Sequence, residues 1–228
     1  MNTEDNKTID PSLDLENNEI TKTMVTYWPK LNLVYWAVHK CGTTTIKNHL
    51  LFHEDGRVVK NEMRSHRPKW HRRLPQEYRE GSTNFTVVRH PYTRFSSMYN
   101  DMFLYRPNYR PQNALKVLEN KLDMTQLEFA NYLLEKEAPR QMNIHFRPSR
   151  WFLRDKRIKV LRLEELATDW CFDFPAPEKR LNQTAENYPE LSEDVKAVVD
   201  KVYAGDFDIW ESREVKYPWP EELPADFK

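Results

Sequence analysis

The chain has 228 residues, of which 39% are hydrophobic, 13% aromatic and 31% charged, a size that suits one α/β domain with a full core or two small ones. Lys+Arg and Asp+Glu are both 35, so the formal charge is zero and gives no case for a nucleic-acid or membrane-surface binder. Two cysteines, Cys41 and Cys171, share no C-x-x-C spacing, which excludes a disulfide framework or zinc ribbon and predicts a reducing compartment.

Residues 1–22 are acidic and Asn-rich, with too little apolar surface to offset the entropy of ordering, and predict a flexible tail. They lack the basic and apolar regions of a signal peptide, and no stretch of the sequence approaches the ~18 apolar residues of a membrane span. A soluble, cytoplasmic protein with no transmembrane segment is expected. Sequons at Asn6, Asn84 and Asn182 are read as chance, because two of them fall beside the elements that carry the chemistry below.

Three segments rich in β-branched and large apolar residues predict buried strands: 31–38 (LNLVYWAV), 84–89 (NFTVVR) and 158–163 (IKVLRL). Helical patterns separate them. Residues 43–52 place Ile46, Leu50 and Leu51 on one side, and 92–104 place Phe95, Met98, Tyr99 and Met102 together. Thr125-x-x-Glu128 predicts a capping box opening a helix with Leu127, Ala130 and Leu134 inward. Ser192 predicts the cap of a last helix bearing Val195, Val198, Val199 and Val202. Strands alternating with helices predict an α/β fold: a single P-loop-like domain over 23–213, with a mostly parallel central sheet flanked by helices on both faces. An irregular C-terminal tail, 214–228, completes the chain.

Two strand-to-helix junctions carry the chemistry. The first, Lys40-Cys41-Gly42-Thr43-Thr44-Thr45, follows strand 31–38. Gly42 lets the backbone turn and approach a ligand, and the amides of Thr43 to Thr45 would face an anion at the positive end of a helix dipole. Lys40 adds a mobile point charge. The plain alternative is a strand–helix turn capped by threonines. A nucleotide loop, G-x-x-x-x-G-K-[ST], places lysine after glycine; here the order is reversed. The second junction, "VVRHPYTRFSSMYND", puts Arg89 at a strand's C-terminal end, where open α/β sheets bind ligands. Ser97 follows eight residues later, within reach of the same anion, and Arg94 is expected to hold the loop by pairing with a carboxylate.

This pair of motifs resembles the 5′-phosphosulfate loop and 3′-phosphate motif of sulfotransferases that use 3′-phosphoadenosine 5′-phosphosulfate (PAPS). "HFRP" at 145–148, "LRLEEL" at 161–166, "LNQT" at 181–184 and "VYAGDFDIW" at 202–210 resemble, in order, later landmarks of the Golgi-type carbohydrate branch (family 2), here without a membrane anchor. The resemblance implies that Lys40, Cys41, Gly42, Thr43, Thr44 and Thr45 hold the 5′-phosphosulfate, that Lys40 acts near the bridging oxygen, and that Arg89 and Ser97 hold the 3′-phosphate. It implies PAPS as donor, 3′,5′-adenosine bisphosphate (PAP) as product, and a hydroxyl acceptor of the carbohydrate class. No metal is expected, since a sulfuryl group carries less charge than a terminal phosphoryl and the histidines lack ligand spacing.

An alcohol acceptor needs a base. His66, between the two motifs in a loop rich in arginine and lysine, is the first choice; His71, Glu62 and His145 are alternates. Arg147, Arg150, Arg154, Arg157 and Lys159 form a further basic run that suits an anionic glycan or a solvated face. Two other readings remain open. One is a kinase-like phosphotransferase using Glu164 or Glu165 for Mg²⁺; the other is a non-catalytic anion- or glycan-binding module on the same fold.

Overall fold

The computed structural model describes residues 25–56, 81–105, 123–136, 139–153, 157–178 and 188–215. The expected N-terminal tail lies outside these residues, as does the stretch beyond residue 215.

Strands β1 (Val25–Trp28), β2 (Leu33–Trp36), β3 (Thr83–Val88) and β4 (Lys159–Arg162) form one sheet in the order β1-β2-β3-β4. β2, β3 and β4 are mutually parallel, with Leu33 opposite Thr83 and Phe85 opposite Lys159. β1 runs antiparallel to β2, pairing Val25 with Trp36. Every residue of β2 is buried, as are five of the six in β3, so both faces of the sheet centre are covered. The fold is α/β with a mostly parallel sheet, as the alternation of patterns requires.

β1 was not among the expected strands. Its sequence, VTYW, is β-branched and aromatic, but only four residues long, and the four-residue turn that joins it to β2 puts Asn32 at a φ of 51°. The strand expected over 31–38 is shorter than its apolar run, because Ala37 and Val38 remain buried but leave the ladder to approach the first loop.

Helix α1 (Thr43–Asp55) buries Ile46, Leu50 and Leu51 and runs three residues beyond its expected end, to a left-handed Gly56 whose N–H bonds the Phe52 carbonyl. Glu54 on its last turn accepts the Lys30 and Leu31 amides, 3.1 and 3.2 Å away, and so ties the helix to the β1–β2 turn. Helix α2 (Pro91–Tyr99) passes into a π-helical turn (Asn100–Tyr105), where one continuous helix was expected. Helix α3 (Gln126–Leu134) has the expected capping box. Its inward face, however, carries Phe129, Ala130, Tyr132 and Leu133, while Leu127 and Leu134 are exposed. Phe129 decides the rotation: it packs on Phe95, Phe103 and Phe146 with ring centroids 5.1–5.5 Å apart.

Beyond β4, a single turn of helix, α4 (Leu166–Asp169), leads to α5 (Glu193–Val202), capped by Ser192 and burying Val195, Val199 and Val202. It is not the last helix. Tyr203 breaks it, and α6 (Ala204–Ser212) follows directly. The apolar interior divides into two clusters. One surrounds the sheet, with Trp28, Trp36, Phe85 and Leu161; the other lies among α2, α3 and α5, with Phe95, Phe129, Val199 and Tyr203.

Candidate functional site

The first loop leaves β2 through two left-handed residues, Lys40 at φ 65° and Gly42 at φ 73°. For lysine this backbone is strained, a cost that the surrounding contacts must hold in place. Gly42 is required on two grounds, since a Cβ there would also come 2.8 Å from Leu163 Cδ1 at the end of β4. α1 begins immediately afterwards, with no side chain capping its first turn, whereas α2, α3 and α5 each carry a side-chain cap. Thr43 Oγ1 donates to the Val38 carbonyl at 2.8 Å and braces the loop from within. Thr44 and Thr45 are buried. Cys41 points into the sheet core, its amide 3.4 Å from the Val38 carbonyl, and burial pushes its thiol up to about 11. Lys40 reaches the other way: its Nζ lies 3.0 Å from Asp101 Oδ2 on the π-helical turn.

The second loop leaves β3 beside the first, because the two strands are adjacent and parallel. His90 caps α2 by accepting the Tyr92 amide, and Pro91 starts the helix. Burial lowers the imidazole pKa of His90, whose ring stands among Tyr92, Phe207 and Trp210. Arg89 Nε donates to Thr93 Oγ1 at 3.2 Å, while Nη1 approaches the Lys40 backbone carbonyl at 3.5 Å, tying the two loops together. The guanidinium also lies 5.1 Å over the Tyr188 ring. Ser97 is buried on α2; among the described residues no hydrogen bond joins it to Arg89.

Arg94 has the expected carboxylate partner. Its Nη1 donates to Asp206 Oδ2 at 3.2 Å, both side chains being at most 2% exposed, and Nε and Nη2 donate to the His39 and Arg147 carbonyls. Asp206 also accepts the Ser149 and Arg150 amides at 2.6 and 3.1 Å. One buried ion pair thus fastens the first loop, α2, the 147–150 turn and α6. Its partner could not be chosen from sequence, although Asp206 lies in one of the motifs already singled out. Glu164 escaped notice in this role: it accepts the His90 amide at 3.1 Å and the Thr93 hydroxyl at 2.7 Å, holding the second loop to the end of β4. Asp101 was missed because only the fold brings it to Lys40.

His66, His71 and Glu62 lie outside the described residues, as does Arg154. His145 is described: its ring stands 4.3 Å from that of His39, the residue before Lys40, and its Nδ1 lies 2.8 Å from Asn143 Oδ1. The same Oδ1 accepts the His145 backbone N–H at 3.0 Å, so it is an acceptor and Nδ1 is the protonated nitrogen. That leaves Nε2 as the basic nitrogen of the neutral ring. Arg147 stacks 5.4 Å over Trp151, so part of the basic run is taken up by the fold.

Residues 23–172 match the model of the Sulfotransferase family. The chain belongs to this family. No curated protein and no solved structure matches it. In this sulfotransferase the matched region contains both cation-bearing loops and the ends of all the described strands, while α5 and α6, which supply Asp206, lie beyond it. Among the described residues, no helix of the sulfotransferase is long and apolar enough to cross a membrane.

Proposed function

We propose that the paired loops bind PAPS and that the enzyme transfers its sulfuryl group to a hydroxyl, with a carbohydrate as the favoured acceptor class. The observation that carries this reading is the junction of Arg89 Nη1 with the Lys40 carbonyl, which sets two cationic loops side by side at the C-terminal edge of one sheet. A donor with phosphates on both its 5′ and 3′ positions needs two such subsites. The α1 amides and Lys40 would receive the 5′-phosphosulfate, with Cys41 lending its backbone and Thr43, Thr44 and Thr45 the helix start. Arg89 and Ser97 would receive the 3′-phosphate.

The chemistry follows from charge. Transfer moves a sulfuryl group in line from a phosphate leaving oxygen to the acceptor oxygen, and charge builds on the leaving phosphate. Lys40 and the helix dipole would stabilise that charge, without recourse to a metal. The acceptor hydroxyl gives its proton to a base, for which His66 is proposed, with His145 and its Asn143-fixed tautomer as the described alternate. Less favoured is the kinase-like reading. Glu164 holds the second loop, and Glu165 pairs with Arg162 and Arg213, so both carboxylates are engaged within the fold.

The test is a thermal-shift comparison of PAP with ATP–Mg²⁺, followed by transfer of radiolabelled sulfate from PAPS to a panel of glycans, alcohols and lipids. PAP is expected to stabilise the protein, and Lys40→Ala or Arg89→Ala to weaken that binding by roughly tenfold or more, since each removes a charge-assisted contact. Stabilisation by ATP–Mg²⁺ alone would overturn the proposal. PAP binding with no sulfate transferred to any acceptor would favour a binding module.

A further inference from the structure

The Lys40–Asp101 contact is unexpected in a site built to hold an anion. A carboxylate oxygen lies 3.0 Å from the ammonium that is proposed to meet the transferring group, and the two side chains are 16% and 28% exposed, so water screens them only in part. Asp101 is held there by an unusual piece of backbone. α2 stops at Tyr99, and the π-helical turn Asn100–Tyr105 carries Asp101 on its first turn, four residues beyond Ser97. π-helical turns are rare, and they are frequent at functional sites. The preceding Asn100 is only 1% exposed and its Oδ1 has no hydrogen-bond partner, so this turn is maintained against a local cost.

We infer that Asp101 is a specificity-determining residue of the donor site, balancing the charge of Lys40 so that a sulfuryl group is accepted and a phosphoryl group in the same place is refused. The inference rests on the PAPS reading above. A sulfuryl ester carries one negative charge, whereas a phosphoryl ester carries about 1.5 to 2 at neutral pH. Lysine alone attracts the more highly charged group more strongly. With a carboxylate 3.0 Å from the ammonium, a phosphoryl group held by Lys40 would have its extra charge repelled by Asp101 as well. The monoanionic sulfuryl loses less. A nucleotide loop has the opposite task, and the sequence order reflects this: lysine precedes glycine here and reaches the π-helical turn.

The test measures binding of PAPS, of PAP, and of 3′-phosphoadenosine 5′-diphosphate, which carries a phosphoryl where PAPS carries the sulfuryl, at pH 8 and low salt by calorimetry. Wild-type protein is expected to prefer PAPS over the diphosphate. Asp101→Asn should tighten the diphosphate about tenfold more than PAPS, and Asp101→Glu should keep most of the wild-type ratio. If Asp101→Asn does not fold, Lys40→Met serves instead. It leaves Asp101 unbalanced, and discrimination against the diphosphate should widen. An unchanged ratio in either variant, or a wild-type preference for the diphosphate, overturns the role of Asp101 while PAP binding by wild-type protein still supports the PAPS reading. Wild-type protein that binds none of the three overturns both.

Discussion

At Gly42 the backbone has a φ of 73°, and a Cβ would stand 2.8 Å from Leu163 Cδ1. The two constraints are separable. Left-handed backbone costs an alanine roughly 1–2 kcal/mol whatever surrounds it, whereas the contact depends on one terminal methyl that can move. Gly42→Ala is therefore expected to destabilise the protein by about 1–3 kcal/mol in urea denaturation and to weaken PAP binding by distorting the start of α1. In a double-mutant cycle with Leu163→Ala, the coupling should recover only a part of that loss. Complete recovery would mean that the contact, and not the backbone, demands glycine. The same residue marks how far sequence reading reaches at this scale. Gly42, Lys40 and Arg89 were found because strand-to-helix junctions advertise themselves. Asp101, Asp206 and the loop-holding role of Glu164 were not, because each acts on a residue more than 60 positions away and none sits in a pattern that names its partner.

Helix α1 carries a buried lysine. Lys47 is 3% exposed, and burial pushes its ammonium down from 10.5 to about 8. With the folded value below the unfolded one, the unfolded chain binds more protons between pH 8 and 10.5, so this residue makes stability rise with pH across that window. At pH 7 the same linkage amounts to a penalty of about 3 kcal/mol, and by pH 9.5 to less than half of that. Lys47→Met should therefore be more stable than wild type at pH 7, and its advantage should shrink by roughly 2 kcal/mol at pH 9.5. An advantage independent of pH would show that packing, not charge, sets the difference. Elements as such were largely legible. The three parallel strands, the first turn of α1, the Thr125 capping box and the Ser192 cap all came from local chemistry that the fold left undisturbed. The failures have physical causes. β1 is too short to show a period, the π-helical turn has no sequence signature, and α3 is rotated because one phenylalanine outweighs two leucines in the aromatic cluster it joins.

Across the whole molecule, the sheet core and the α2–α3–α5 core meet at Arg94 and Asp206. Arg94 stands on α2, 5.5 Å over the ring of Tyr203, and bonds the His39 carbonyl of the first loop. Asp206 opens α6, whose Ile209 belongs to the sheet core, while Tyr203 belongs to the other and donates its hydroxyl to the Phe146 carbonyl at 2.7 Å. Removing one member of a fully buried pair leaves the other uncompensated, at a cost of about 3–5 kcal/mol. Many buried pairs can be exchanged for apolar residues with little loss. This one differs, because Asp206 also satisfies the Ser149 and Arg150 amides, and an apolar replacement would orphan both. Asp206→Ala is thus expected to lower global stability by that amount, and Arg94→Met in addition should recover little of it. The loss should also be uneven. Native-state hydrogen exchange should show α3 and α5 losing protection by at least about tenfold more than β2 and β3, because the second core keeps its helix contacts but loses its tie to the sheet. Equal loss in both regions would mean that the two cores open as a single unit and that Asp206 stabilises the whole without joining its parts.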